Sequence, residues 1–214
     1  MAILEVGLLG DKRDGYLPHE AAEKALKEFL DTNDILLNFE WLPTKSTKIE
    51  DVEKLDGLWA GSGPYLNEEN ALCAIQYARE NNIPTIGTCS GFKYIVIEYA
   101  KHVFKAPDPF GYIGSNANCT TDFKDLKIEL KPDCSLVNIY GCVRISEISH
   151  CTFQIADNVI DEMASQFEFC SVTEDGRTVL VRLHNHPFSL LHYFCPNSKR
   201  TVVFNGLGCK LPLR

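Results

Sequence analysis

The stretch IPTIGTCSGFKYIVIEYAKHV, residues 83–103, constrains this chain more than any other. Ile83-Pro84-Thr85-Ile86-Gly87 reads as a short buried strand, Thr88-Cys89-Ser90-Gly91 as a tight turn of small residues, and Phe92 onward as a helix with apolar period. A cysteine at such a strand–turn–helix corner sits at a helix N-terminus. Free backbone N–H groups and the helix dipole there favour the thiolate. The N–H of the following residue, Ser90, is placed to hold an oxyanion. A lone buried cysteine is usually packing, but the Gly-x-Cys-x-Gly frame points to a reactive one.

The pattern before this corner alternates strictly. Ile3 to Leu9 predicts a strand and Leu17 to Leu30 a helix, with Leu17, Ala21, Ala22, Ala25, Leu26 and Phe29 on its apolar face. Ile35 to Trp41 and Gly57 to Ala60 predict two more strands, and Glu68 to Asn82 a second helix. Such alternation builds a parallel sheet covered on both faces, with ligands at the carboxyl ends of its strands. Cys89 and the loop Gly61-Ser62-Gly63-Pro64-Tyr65 both follow such ends and are expected to face one crevice. The second half reads differently. Leu126–Leu130, 143–148 and 152–155 predict short strands, and Asp157 to Ala164 a helix. Phe167 to Val172 and Thr178 to Leu183 predict a hairpin, and 192–194 a last short strand. No linker or repeat divides the chain, so residues 1–214 are expected to form one domain.

Composition narrows the function classes. A net charge of −8 with no basic run argues against a nucleic-acid footprint. No apolar stretch is long enough to span a bilayer, and no basic residue precedes the first apolar run as in a signal peptide. The expected location is the cytoplasm. The nine cysteines are an odd number without C-x-x-C pairs, read as mostly reduced and buried, Cys73 among them. Their spacing offers no zinc pattern, and no metal or cofactor is expected.

Several segments together resemble the class I glutamine amidotransferases, and within them the glutaminase domain of CTP synthase. They are Gly10-Asp11-Lys12 through Leu26, GLWAGSGPYLNEENALCAIQYARE from Gly57, the corner from Pro84 to Val103, and Asn116-Ala117-Asn118-Cys119-Thr120-Thr121-Asp122-Phe123, which carries one inserted residue. Asn185-His186-Pro187-Phe188 and Phe204-Asn205-Gly206-Leu207 match further landmarks. The resemblance implies a flavodoxin-like three-layer αβα fold with a central, mostly parallel sheet and a small antiparallel addition. It also implies Cys89 as nucleophile, with an oxyanion hole from Ser62 or Gly63 together with Ser90.

The rest of the family's machinery is altered. Its Phe-His-Pro-Glu segment reads Phe194-Cys195-Pro196-Asn197 here, so the base has become a thiol and its orienting carboxylate an amide. The acid that grips the glutamine ammonium falls on Asp122. The His-Arg-Tyr-Glu segment that grips its carboxylate reads His150-Cys151-Thr152-Phe153-Gln154, without the arginine. The glutamine-contacting residue of the nucleophile corner falls on Lys93. Loss of a general acid–base costs about 10²–10⁴-fold in rate, so conventional glutamine hydrolysis is not expected.

The favoured reading is cofactor-free proton transfer on a small amino-acid-like molecule, as in an isomerase or epimerase, with Cys89 and Cys195 as a thiol acid–base pair. Asp122 would hold an ammonium, and His150 or Lys93 would answer a carboxylate. An amidohydrolase using Cys89 with a substitute base is the first alternative, and a binding or regulatory pseudoenzyme the second. Partners left open are a second copy of the chain or a separate synthetase. Plainer roles stand beside these: Cys195 as packing, Asp122 as a cap, Lys93 as a solvated residue, His186 as structural. His192 ranks low as a base, since an odd separation puts it on the opposite strand face from Cys195.

Overall fold

A computed structural model describes residues 3–114, 119–134, 136–151, 154–184, 186 and 189–192. In chain order the elements are β1 (Ile3–Leu9), α1 (Leu17–Thr32), β2 (Leu36–Leu42), α2 (Ile49–Glu53), β3 (Gly57–Ala60), α3 (Glu68–Glu80), β4 (Thr85–Thr88) and α4 (Ser90–His102). A 3-10 turn at Pro109–Tyr112 leads to β5 (Cys119–Leu130), α5 (Leu136–Tyr140) and β6 (Arg144–Cys151). Then come a 3-10 turn at Asp157–Val159, α6 (Ile160–Met163), β7 (Phe167–Phe169), β8 (Ser171–Thr173), β9 (Leu180–Leu183) and β10 (Ser189–His192).

The main sheet has the order β2-β1-β3-β4-β10-β9-β7. Its pairs from β2 through β10 are parallel; β9 then runs antiparallel to both β10 and β7. A smaller antiparallel sheet has the order β6-β5-β8. This is the flavodoxin-like αβα arrangement with an antiparallel addition that the sequence led us to expect. The chain passes from β1 to one neighbour, β2, and then to the other, β3. The crevice at the carboxyl edge between β1 and β3 is thus a topological switch point, where open α/β sheets bind ligands.

Burial explains the elements. β3 and β4 are short, nearly fully buried and apolar or small, as inner parallel strands must be. β2 alternates exposed and half-buried residues because it is an edge. α4 is buried at Gly91, Phe92 and every residue from Tyr94 to Ala100, which makes it the central helix. α3 buries Ala71, Leu72, Ala74, Ile75 and Ala78 at helical spacing, and Asn67 caps it by accepting the Asn70 N–H at 3.1 Å. Between α3 and α4, Arg79 grips the fully buried Glu98 carboxylate through Nε and Nη2 at 2.9 and 2.7 Å.

Some expectations fail for local reasons. Leu17 points outward, 54% exposed; the buried residues of that first turn are Pro18 and His19. Cys73 is exposed on α3, not core. The predicted hairpin arm 167–172 breaks at Cys170: β7 pairs with β9 in the main sheet, whereas β8 pairs with β5 in the small one. The helix at 157–164 is a 3-10 turn followed by a short α segment. Of the predicted last strand, 192–194, only His192 lies among the described residues, within β10 (Ser189–His192). Among the described residues no helix is long and apolar enough to cross a membrane.

Candidate active site at the Cys89 elbow

Cys89 links β4 to α4 with φ 54° and ψ −114°, a conformation L-residues rarely adopt. Such backbone costs about 1–3 kcal/mol and persists only where its surroundings hold it. Here the surroundings are visible. The Trp59 indole N–H donates to Thr88 Oγ1 at 2.9 Å, fixing the strand just before the corner. After it, the Gly91 N–H donates to the Gly61 carbonyl at 3.0 Å. A Cβ at Gly91 would lie 1.9 Å from the Ala60 carbonyl oxygen, so only glycine lets α4 start against the end of β3. The Cys89 side chain is buried, with the residue 1% exposed.

The glycine loop lies directly across the corner. A Cβ on Gly63 would come within 2.8 Å of Ser90 Oγ, so Gly63 and Ser90 are in contact. This sets the side chain of Ser90, the residue that follows Cys89 in the chain, against the glycine loop. Ser62 Oγ is buried and has no hydrogen-bond partner among the described residues. A buried hydroxyl without a partner is costly, and a ligand group is one way to satisfy it.

The loop is held from beneath by residues whose role the sequence did not disclose. His19 is buried; its Nδ1 accepts the Arg13 N–H at 3.0 Å, which leaves Nε2–H to donate to the Ser62 carbonyl at 2.9 Å. Its ring packs against Tyr16 and Trp41. Burial pushes its pKa below the ordinary histidine value, keeping the ring neutral in the tautomer this bridge needs. Asp11 accepts the Leu66 N–H at 2.9 Å and the Thr44 hydroxyl, while its own N–H donates to the Pro64 carbonyl at 3.1 Å. The Tyr65 hydroxyl donates to the Gly61 carbonyl at 3.1 Å and its ring stacks on Tyr94. Burial first, then neighbouring Cys89, pushes the Tyr65 phenol well above its ordinary value, so it stays a donor. The available signal for His19 was a polar residue beside Pro18 at the start of a helix that could bury it.

Lys93 lies in the first turn of α4, with Nζ 5.2 Å from the Tyr94 ring centroid and 5.8 Å from that of Phe110. Asp122 and His150 fall in one irregularity of the β5–β6 ladder. Cys119 pairs with Cys151 and Lys124 with Ser149, so residues 120–123 oppose the single residue 150. The side chains of Asp122 and His150 lie outside the described residues. So does Cys195, three residues after His192; His192 itself stands in parallel register with Thr88, next to Cys89. Of the expected site residues, the structure therefore joins Cys89, Ser90, Ser62 and Gly63, with Lys93 on the adjoining helical turn. Among the described residues no metal-ligand group forms at this corner.

Comparison with known proteins agrees with this geometry. The family model "Glutamine amidotransferase class-I" matches residues 19–189. CTP synthase of Archaeoglobus fulgidus is 26% identical over 225 residues, covering 92% of this chain and 41% of that protein. CTP synthase of Methanoculleus marisnigri is 27% identical over 177 residues, covering 75% and 34%. The chain thus spans well under half the length of these relatives. Among solved structures, the glutaminase domain of Trypanosoma brucei CTPS superposes with a TM-score of 0.77, covering 97% of this chain and 95% of that one at 14% identity. A glutamine amidotransferase from Methylobacillus flagellatus gives 0.58 at 11% identity, covering 88% and 68%. With the family's pattern spread over most of its length and Cys89 on the corner between sheet and central helix, this chain belongs to the class I glutamine amidotransferases, and it is similar to CTP synthases in sequence and to a CTP synthase glutaminase domain in fold.

Proposed function

We propose that this chain forms one unit, residues 1–214, that uses Cys89 on a small amino-acid-like molecule by a route other than conventional glutamine hydrolysis. The observation that carries this reading is the elbow: a buried thiol on a left-handed backbone, faced by the Gly63–Ser90 contact and the unsatisfied Ser62 hydroxyl. An oxyanion forming beside Cys89 would be stabilised there whether it came from a tetrahedral adduct or an enolate.

The favoured chemistry is proton transfer. The thiolate of one cysteine, Cys89 or Cys195, takes the α-proton; the electron pair moves onto the carbonyl oxygen; the thiol of the other returns a proton to the opposite face. The product is the epimer, and the two thiols exchange protonation states. The parallel register of β10 with β4 supports Cys195 as the partner, because it brings the strand preceding Cys195 beside the strand preceding Cys89. Asp122 as the ammonium contact, with His150 or Lys93 as carboxylate contact, completes the proposal. The reaction needs no cofactor, and its setting is the cytoplasm.

Family membership favours a second reading, amide hydrolysis through a Cys89 adduct with a substitute base. Ammonia would then pass to a separate synthetase, since the relatives carry most of their length outside the matched region. Homo-oligomerisation is the alternative assembly. The readings separate in one experiment: incubation with amino acids and their amides in D₂O, following α-deuterium by NMR and ammonia enzymatically. Exchange abolished by both Cys89→Ala and Cys195→Ala supports the thiol pair. Ammonia release that needs Cys89 and ignores Cys195 replaces it with hydrolysis. Ligand binding without either signal would make the chain a pseudoenzyme and end the catalytic proposal.

A further inference from the structure

Away from the elbow, three donor groups from two distant stretches of the chain converge where the two sheets meet. Cys134 lies in the turn between β5 and α5, Glu168 in β7, and Cys170 at the break between β7 and β8. Both Cys134 and Cys170 are buried, 4% and 0% exposed, and Glu168 is half-buried. The two sulfurs and a Glu168 carboxylate oxygen all lie within 4.8 Å of one another. Sequence spacing hides this group, because no C-x-x-C pair brings it together.

The backbone around the group is fixed. The Lys131 N–H donates to the Cys170 carbonyl at 2.9 Å, and the Cys134 N–H to the Lys131 carbonyl at 3.0 Å. The Cys170 N–H donates to the Leu180 carbonyl at 2.9 Å. The Leu136 N–H donates to Cys134 Sγ at 3.4 Å, the kind of outer contact that supports a sulfur carrying negative charge. In the thiol form the Cys170 S–H donates to the Glu168 carbonyl at 3.5 Å; once both sulfurs and the carboxylate are deprotonated, the three charges, two of them buried, repel one another and a bound cation offsets that repulsion. Two thiolates and one carboxylate suit a soft or borderline divalent ion in tetrahedral geometry, with bonds of about 2.3 Å to sulfur and about 2.0–2.2 Å to oxygen. Such bonds place donors about 3.3–3.8 Å apart, which small side-chain rotations from this arrangement reach.

We propose that Cys134, Glu168 and Cys170 bind a zinc-class divalent ion that pins the small antiparallel sheet to the main sheet, with water as fourth ligand. Binding forms two metal–sulfur bonds and one metal–oxygen bond and releases the two thiol protons to solvent; no oxidation is involved. The site is independent of Cys89 chemistry, so it stands whether or not the proposed function does.

The test uses the full chain, reduced and freed of metal, titrated with cobalt(II) and then zinc(II). Cobalt should give sulfur-to-metal charge-transfer absorption and visible bands of tetrahedral intensity at one equivalent, and zinc should displace it. Zinc should raise the unfolding midpoint and protect Cys134 and Cys170, but not exposed Cys73 and Cys142, from alkylation mapped by mass spectrometry. Glu168→Gln should weaken binding by about tenfold or more, and Cys134→Ser or Cys170→Ser should abolish the bands. Bands that survive in Cys134→Ser, or zinc that leaves both thiols of the unmodified chain reactive, would overturn the site. So would a Cys134–Cys170 disulfide in the purified chain that, once reduced, gives no cobalt band. The alkylation readout needs no variant, so misfolding of a substituted chain leaves the test intact.

Discussion

Replacing Gly91 with alanine tests the argument for the elbow directly. The new methyl would sit 1.9 Å from the Ala60 carbonyl oxygen and 2.4 Å from its carbon, where ordinary contact begins at 3.4 Å. The opposing atoms are strand backbone, not the end of a flexible side chain, so β3 and α4 must separate by about 1.5 Å. Overpacking of this kind costs about 1–3 kcal/mol when side chains can yield, and separation also breaks the Gly91 N–H to Gly61 bond, worth about 1 kcal/mol. A loss of about 4 kcal/mol is expected, which for a chain of this size lowers the unfolding midpoint by about 8–16 °C. Two controls bracket the effect. Gly57→Ala meets nothing nearer than 3.7 Å and should stay within about 0.5 kcal/mol of the parent. Gly141→Ala has open space but φ +70°, so only backbone strain of about 1–2 kcal/mol applies. Urea unfolding of the four chains, with the rate of Cys89 alkylation beside it, decides the matter. If Gly91→Ala loses no more stability than Gly141→Ala, the packing of α4 onto β3 does not hold the elbow as described.

Three further outcomes follow from other parts of the molecule. Because burial depresses the His19 pKa, its neutral form contributes stability above the ordinary value of about 6.5, and this is lost as pH falls through the folded value. The parent should therefore weaken between about pH 7 and pH 5 more than His19→Gln does in urea titrations; parallel curves would remove His19 as the neutral support of the loop. Ser62→Ala should leave unfolding within about 0.5 kcal/mol of the parent, since it deletes a hydroxyl with no partner among the described residues. It should nonetheless weaken ligand binding or turnover by about tenfold, and unchanged binding would take Ser62 out of the site. Glu98→Ala strips the carboxylate from Arg79, which is 19% exposed, and should cost about 3 kcal/mol in urea unfolding; a loss below about 1 kcal/mol would show the pair to be incidental.

The sequence alone determined the frame. Strict alternation through Glu80 and the Gly-x-Cys-x-Gly corner require a parallel sheet with Cys89 at a carboxyl edge, because local periodicity and turn chemistry are short-range properties written in neighbouring residues. The irregularity in the β5–β6 ladder falls in the segment of Asp122, where the resemblance led to the expectation of an inserted residue. Only tertiary structure decided which residues support that frame. His19 reaches the Ser62 carbonyl 43 residues away, Asp11 bonds Leu66, and Cys134 meets Cys170 across the join of two sheets. The break at Cys170 was invisible for the same reason. Whether β8 continues with its neighbour or crosses to β5 is fixed by non-local pairing, and no periodicity along the chain records that choice.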